Sequence, residues 1–239
     1  MKQKKKILAA GMLTAALGMA ASTVRAQFVE TTDAGQTLPT ADSTAVGVAG
    51  VPLTTIIGSF GTASDADLYA IDITAPTTFS ATTSNTITNT SGVDTELFLF
   101  NASGQPIAAN DDASGGTTLD STLPAGNALF TSLSAGTYYL GISTSGNEPI
   151  NSASQLLFAP YPGGDTTTVR GPASGLNPTT EANFNGNEFD TTTSGAYEIN
   201  LTSTSTAFNP VPEPSSWAAV AVGSVAAAFA FLRRRRSNI

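Results

Sequence analysis

The chain has 239 residues, no cysteine, no histidine, 10 Lys and Arg against 18 Asp and Glu, and a formal net charge of −8. Without thiol or imidazole groups, thiol chemistry, imidazole acid–base catalysis, the Ser-His-Asp arrangement and the common zinc ligand sets are all excluded. Of the 18 acids only Glu213 lies outside residues 27–210, where Arg170 is the one cation, so this stretch holds 17 acids against one base. Nucleic acid is excluded as a partner, because binding phosphates needs clustered Lys and Arg; cations or a neutral surface fit better.

The first segment is Lys-rich at Lys2, Lys4, Lys5 and Lys6, continues through an apolar run from Ile7 to Leu17, and reaches Val24-Arg25-Ala26 before Gln27. This is the grammar of a secretory signal peptide, and it predicts a helical leader over residues 1–26 with cleavage between Ala26 and Gln27. The alternative, a permanent N-terminal anchor, would need a longer and less Ala/Gly-rich run. Signal peptidase and the general secretion machinery follow as partners. Residues 27–52 read as an N-terminal linker.

Residues 53–205 are written in short β-branched and aromatic runs separated by Gly, Pro, Asn, Asp and Ser, which predicts an all-β domain. The expected strands are 53–57, 68–73, 77–83, 95–101, 106–109, 128–133, 137–143 and 196–202. Tyr197, Ile199 and Leu201 alternate with polar neighbours, as do Tyr138, Leu140 and Ile142, so each of these strands buries one face. Leu97-Phe98-Leu99-Phe100 is apolar on both faces and predicts a central strand with its outer side covered. The Gly/Pro/Thr-rich insertion over residues 143–194 is long enough to supply that cover.

Two pairs of acids stand out within the domain. Asp65 and Asp67 are two apart on a strand start, which puts both on one face. Asp111 and Asp112, after Asn110 and before Ala113-Ser114-Gly115-Gly116, place hard oxygen ligands on a hairpin turn of a kind that suits Ca²⁺, although not with EF-hand spacing. Turn capping by Asn and Asp, or plain solvation, explains the same residues without a metal. A glycosidase would also use paired carboxylates, but nothing selects a pair, and the one tryptophan, Trp217, lies in the tail.

The order of the runs carries a resemblance: Asp67-Leu68-Tyr69-Ala70-Ile71, Asp94-Thr95-Glu96-Leu97-Phe98-Leu99-Phe100, Gly104, Ala109-Asn110-Asp111-Asp112, Leu133-Ser134-Ala135-Gly136-Thr137-Tyr138-Tyr139-Leu140, then Gly195-Ala196-Tyr197-Glu198-Ile199. Over residues 60–202 this resembles the bacterial pre-peptidase C-terminal domain. The resemblance implies a jelly-roll-like β-sandwich serving as a binding or surface-display module; the stretch from 144 to 194 is longer than the family's usual connection.

The last segment is a Pro-rich linker, 206–216, containing Val211-Pro212-Glu213-Pro214, followed by an uncharged run and then Arg233, Arg234, Arg235 and Arg236. Residues 217–239 predict a hydrophobic helix with its arginines on the cytoplasmic side, and sixteen uncharged residues make it a short span. Pro-Glu-Pro, an Ala/Val-rich helix and a terminal Arg cluster resemble the PEP-CTERM sorting signal. That resemblance implies processing by an exosortase-like membrane protease, transient anchoring in the inner membrane, and a destination at the cell surface, the outer envelope or an exopolysaccharide biofilm matrix. The expectation for the whole chain is therefore an exported, non-enzymatic surface protein with a binding or structural module. A calcium-stabilised carbohydrate- or peptide-binding module and an extracellular hydrolase are the alternatives.

Overall fold

The computed structural model describes residues 25–45, 50–83, 93–113, 119–176, 179–187 and 195–206. The expected C-terminal helix lies outside those residues, as does the expected leader helix up to residue 24, while Ala26 belongs to a strand. The described chain begins with β1 (Ala26–Val29), β2 (Asp42–Ser43), β3 (Leu53–Phe60), β4 (Ala66–Ile73) and β5 (Ser80–Thr83). A hairpin of β6 (Thr95–Asn101) and β7 (Pro106–Asn110) precedes β8 (Thr122–Leu123) and β9 (Gly136–Thr144). β10 (Pro149–Ile150) and β11 (Asn183–Phe184) belong to the insertion, and β12 (Gly195–Thr202) leads into β13 (Thr204–Thr206).

These strands make two main sheets, in the order β1-β3-β12-β5-β8 and the order β13-β4-β9-β6-β7, with β2 also on β4. The β10–β11 pair stands apart. Pairing is antiparallel except for β1 with β3 and β2 with β4, which are parallel. One core joins the sheets: Leu53, Ile56, Ile199 and Leu201 from the first meet Tyr69, Ile71, Leu97, Leu99, Leu140 and Ile142 from the second. The chain passes from one sheet to the other at Ser203, whose φ of 54° is uncommon for a residue with a Cβ. A hydroxyl contact of 2.7 Å between Ser203 and Thr78 holds the corner.

Strand alternation explains the two-faced run. Leu97 and Leu99 enter the main core, while Phe98 and Phe100 point outward into a second core with Leu157, Phe158 and Phe184 from the insertion. Phe98 lies 5.6 Å from both Phe158 and Phe184, ring centroid to centroid. The insertion is thus a covering layer on one sheet, as the apolar outer face of the run predicts. Burying a Phe side chain contributes about 1.5–3 kcal/mol, so a few such contacts hold the layer down.

Three expectations need correction. Residues 27–52 are not a linker throughout: β1 pairs with β3, β2 pairs with β4, and Phe28 stacks edge-on against Tyr69 at 5.7 Å. Residues 128–133 do not form a strand; Ala128–Phe130 is a 3-10 turn because the Asn127 side chain caps the Leu129 amide at 2.9 Å, and Phe130 drops into the main core. The expected strand over 77–83 shortens to Ser80–Thr83, since Pro76 opens a 3-10 turn.

Candidate functional site

Register sorts the loops into two ends. Ala66 pairs with Ser143 and Thr95 with Thr144 at one end; Ile73 pairs with Gly136 and with Thr204 at the other. The second end comprises the β4–β5, β6–β7 and β8–β9 turns and the Ser203 corner. Its loops, residues 74–79, 102–105, 124–127 and 131–135, contain no charged residue. Glu181, whose amide reaches the Gly104 carbonyl, is buried against this end. Acids collect at the first end, in two groups.

The first group forms where β1 leaves its sheet beside the start of β4. Glu30 sits just past β1; its Oε1 accepts the Ala34 amide at 2.6 Å and its Oε2 the Ser59 amide at 2.8 Å. Asp65 caps the β3–β4 turn, accepting from Gly61 at 2.7 Å and from Ala66 at 2.9 Å. The Asp33 carboxyl lies close by and adds a like charge that helps raise the Asp65 pKa, after burial. Asp67 is fully buried; its Oδ2 accepts the Tyr197 hydroxyl at 2.5 Å, and Tyr197 and Tyr69 share a second hydrogen bond of 2.6 Å. Gly58 is required beneath this pair, because a Cβ there would lie 2.4 Å from the Tyr197 oxygen.

Oδ1 of Asp67 is buried without a hydrogen-bond partner. One carboxylate oxygen from each of Glu30, Asp33 and Asp67 lies within 4.8 Å of the others. A calcium ion binds oxygens at 2.3–2.6 Å, so ligands on opposite sides of it stand about 5 Å apart, and the three carboxylates fit that span. Burial raises the Asp67 pKa to about 9, against the Tyr197 hydrogen bond, and the charges of Glu30, Asp65 and Asp33 add to the rise. Burial also raises Glu30 and Asp65 above their ordinary values.

The second group is closed by Arg170. Its guanidinium pairs with Glu96 of β6 and, at 2.5 Å, with Glu148, and it lies 4.0 Å over the Tyr161 ring. Tyr161 donates its hydroxyl to Glu96 at 2.7 Å. The one cation of the acidic stretch is thus internal, and it fastens the covering layer to the sheet. Asp111 lies nearby with its Oδ2 accepting from Ser145 at 3.1 Å; burial, then the charges of Glu96 and Asp94, push its pKa up to about 8. Glu148 is pushed up to about 7 by burial and Glu96, against the pull of Arg170. Asn147 links this region to the first group by donating to the Ser64 and Asp65 carbonyls at 3.0 and 3.2 Å.

The sequence candidates therefore separate. Asp111 turns inward to Ser145, whereas Asp112 accepts the Thr166 hydroxyl of the covering layer, so these neighbours do not converge on one point. Consecutive residues leaving a strand face opposite ways. Asp65 does what a turn-capping Asp does, while Asp67 joins the candidate site. Glu30 and Asp33 escape a reading of the sequence because they lie in the supposed linker. Local sequence carries no clear signal for them, since Phe28 and Val29 are adjacent apolar residues and only the fold turns Phe28 inward and leaves Val29 exposed. Ala26 and Gln27 fall within β1 itself; Pro212, Glu213, Pro214 and the four arginines lie outside the described residues.

Residues 210–236 match the PEP-CTERM protein-sorting motif. The motif implies an exported surface protein, processed by an exosortase-type system and transiently anchored in the membrane before cleavage. No curated protein matches the chain, and no family match supports the resemblance of residues 60–202 to the pre-peptidase C-terminal domain. Among the described residues no helix is long and apolar enough to cross a membrane.

Proposed function

We propose that the exported protein is a non-enzymatic binding or structural module, a jelly-roll-like β-sandwich stabilised by Ca²⁺ at Glu30, Asp33 and Asp67. The observation that carries this reading is the unpartnered buried Oδ1 of Asp67 among converging carboxylates. Bound calcium would supply positive charge to acids that otherwise repel one another, and it would tie the segment after β1 to β4. Asp65, close to Asp33, shapes the rim of the site. Export through the general secretion machinery, with signal peptidase cutting between Ala26 and Gln27, accounts for the N-terminal segment. A neutral or calcium-bridged exopolysaccharide is the surface partner most compatible with a domain this acidic.

The deciding experiment is thermal unfolding of the purified domain in chelator and in millimolar calcium at fixed ionic strength. Calcium should raise the melting temperature of the native domain and leave Asp67→Asn unchanged. An unchanged melting temperature in the native domain removes the metal, and glycan or peptide hydrolysis by the same preparation removes the non-enzymatic reading. Sorting is tested in the cell. Replacing Pro212, Glu213 and Pro214 with Ala should leave translocation intact and make full-length protein accumulate in the inner membrane. Replacing Arg233 to Arg236 should instead weaken membrane orientation.

A further inference from the structure

The strand that opens the domain also holds the residue exposed by leader cleavage. β1 lies at the edge of its sheet, with β3 on one side. The Ala26 amide bonds to the Pro52 carbonyl at 2.7 Å and the Glu30 amide to the Ile57 carbonyl at 2.9 Å, so residues 26, 28 and 30 turn their backbone groups to β3. Gln27, between them, turns its amide nitrogen to the open edge. Its side chain stands on the exposed face, opposite the one from which Phe28 meets Tyr69. Among the described residues nothing hydrogen-bonds its carboxamide.

Cutting between Ala26 and Gln27 removes the bond to Pro52 and keeps the rest of the strand docked. Glu30 retains Ile57, Ala34 and Ser59, and Phe28 retains Tyr69 at 5.7 Å. The new terminus is therefore a one-residue tip ahead of an anchored strand. Its α-amino group titrates at about 7.7–8.0, so a share of it is the nucleophilic free amine at neutral pH.

A terminal amine on glutamine is one bond short of a five-membered lactam. The amine attacks the Cδ carbonyl carbon, the N–Cδ bond forms, the Cδ–Nε2 bond breaks, and the departing nitrogen takes the proton that the amine gives up and leaves as ammonia. No oxidant or second reactant enters. We infer that the mature domain carries a modification site at its first residue: Gln27, once freed by signal peptidase, closes to a pyroglutamyl ring on the open edge of β1. The inference rests on cleavage between Ala26 and Gln27. The fold leaves room for closure, since the nitrogen gives up no bond to β3 and the ring forms on the side away from Tyr69. Closure removes the terminal charge and leaves no amine for an aminopeptidase, three residues ahead of Glu30 in the candidate calcium site.

The test reads the N-terminus of the exported protein by peptide mass spectrometry, at harvest and after several days at pH 8. The expected first peptide begins at Gln27 and is lighter by about 17 Da, the mass of ammonia. Any fraction still open at harvest should close as fast in the folded protein as in guanidinium chloride; severalfold slower closure in the folded protein would show that the fold restrains Gln27 and overturn the geometric argument. A free amine at Gln27 that persists through the incubation overturns the modification and leaves the cleavage site standing. A first residue other than Gln27 overturns the cleavage site and the modification with it. Digestion with an aminopeptidase should leave the native protein at full mass and shorten Gln27→Ala, and the same outcome in both would overturn the shielding.

Discussion

The two ends of the domain solve the same problem with different chemistry. At the uncharged end, polar groups are paired as hydroxyls: Thr78 with Ser203 at 2.7 Å and Ser80 with Thr202 at 2.8 Å. Each hydroxyl both donates and accepts, so such pairs close without ions and without titrating. At the acidic end the buried groups are carboxylates, which accept only, and several oxygens, among them Asp67 Oδ1, Asp111 Oδ1 and Glu96 Oε2, are left without a hydrogen bond. An unpaired buried acceptor costs free energy until a proton, an arginine or a metal satisfies it. The same two sheets thus carry one end closed mainly by neutral hydroxyl pairs, with Glu181 buried against it and pushed up to about 7 by burial, and one end where several buried carboxylates gather.

Breaking the arginine should show the largest effect. Arg170→Ala leaves Glu96 and Glu148 facing each other in a buried site, and a cost of about 3–5 kcal/mol is expected. Urea unfolding at pH 7 measures it. Adding Glu96→Gln and Glu148→Gln should recover part of the loss by removing the stranded charges. No recovery would mean that Arg170 acts through packing on Tyr161 and Phe158.

Calcium comes next. At a free concentration about a hundredfold above Kd, a site that only the folded state possesses adds about 2.7 kcal/mol. For a domain of this size that is roughly 5–11 °C in melting temperature. Tyr197→Phe keeps Asp67 but removes the donor that orients it, so calorimetry should show weaker calcium binding with the site still present. Calcium affinity in that variant equal to the native value would show that the tyrosine pair only fills the core.

In chelator, the acidic end should also make stability fall as pH rises. Asp67 is raised from 3.8 to about 9 and Asp111 from 3.8 to about 8. Between those limits the unfolded chain has released protons that the folded chain still holds. The stabilisation is therefore complete below about pH 4 and is lost as pH climbs through 8 and 9. Melting temperatures from pH 5 to 9 should drop by several degrees, and Asp67→Asn should flatten the upper part of the curve. Saturating calcium opposes this trend, because the metal replaces the proton. A melting temperature that rises with pH in chelator would contradict the buried, protonated state of Asp67.

The smallest effect belongs to the uncharged end. Thr78→Val removes the hydroxyl facing Ser203 and should cost about 1 kcal/mol, with the calcium response and pH dependence unchanged. A change in either would mean that the two ends are coupled through β12, and the contrast between them would narrow.

Sequence alone determined what depends on neighbours along the chain. Alternation at Tyr138, Leu140 and Ile142 and at Tyr197, Ile199 and Leu201 announced β9 and β12, since a strand's faces are set by a period of two. The two-sided run Leu97 to Phe100 announced a covering layer before any covering residue was identified. Val211 to Pro214 and the terminal arginines marked the sorting tail, a linear signal that needs no fold. Tertiary structure alone decided which acids meet. Glu30 and Asp33 reach Asp67 only because β1 joins β3 in parallel across an intervening stretch that looks like linker, and a parallel pairing leaves no turn signal in the sequence. It likewise decided that Asp111 and Asp112 part company and that Arg170 turns inward. Burial and long-range pairing belong to the assembled sheets, and no local pattern of residues encodes them.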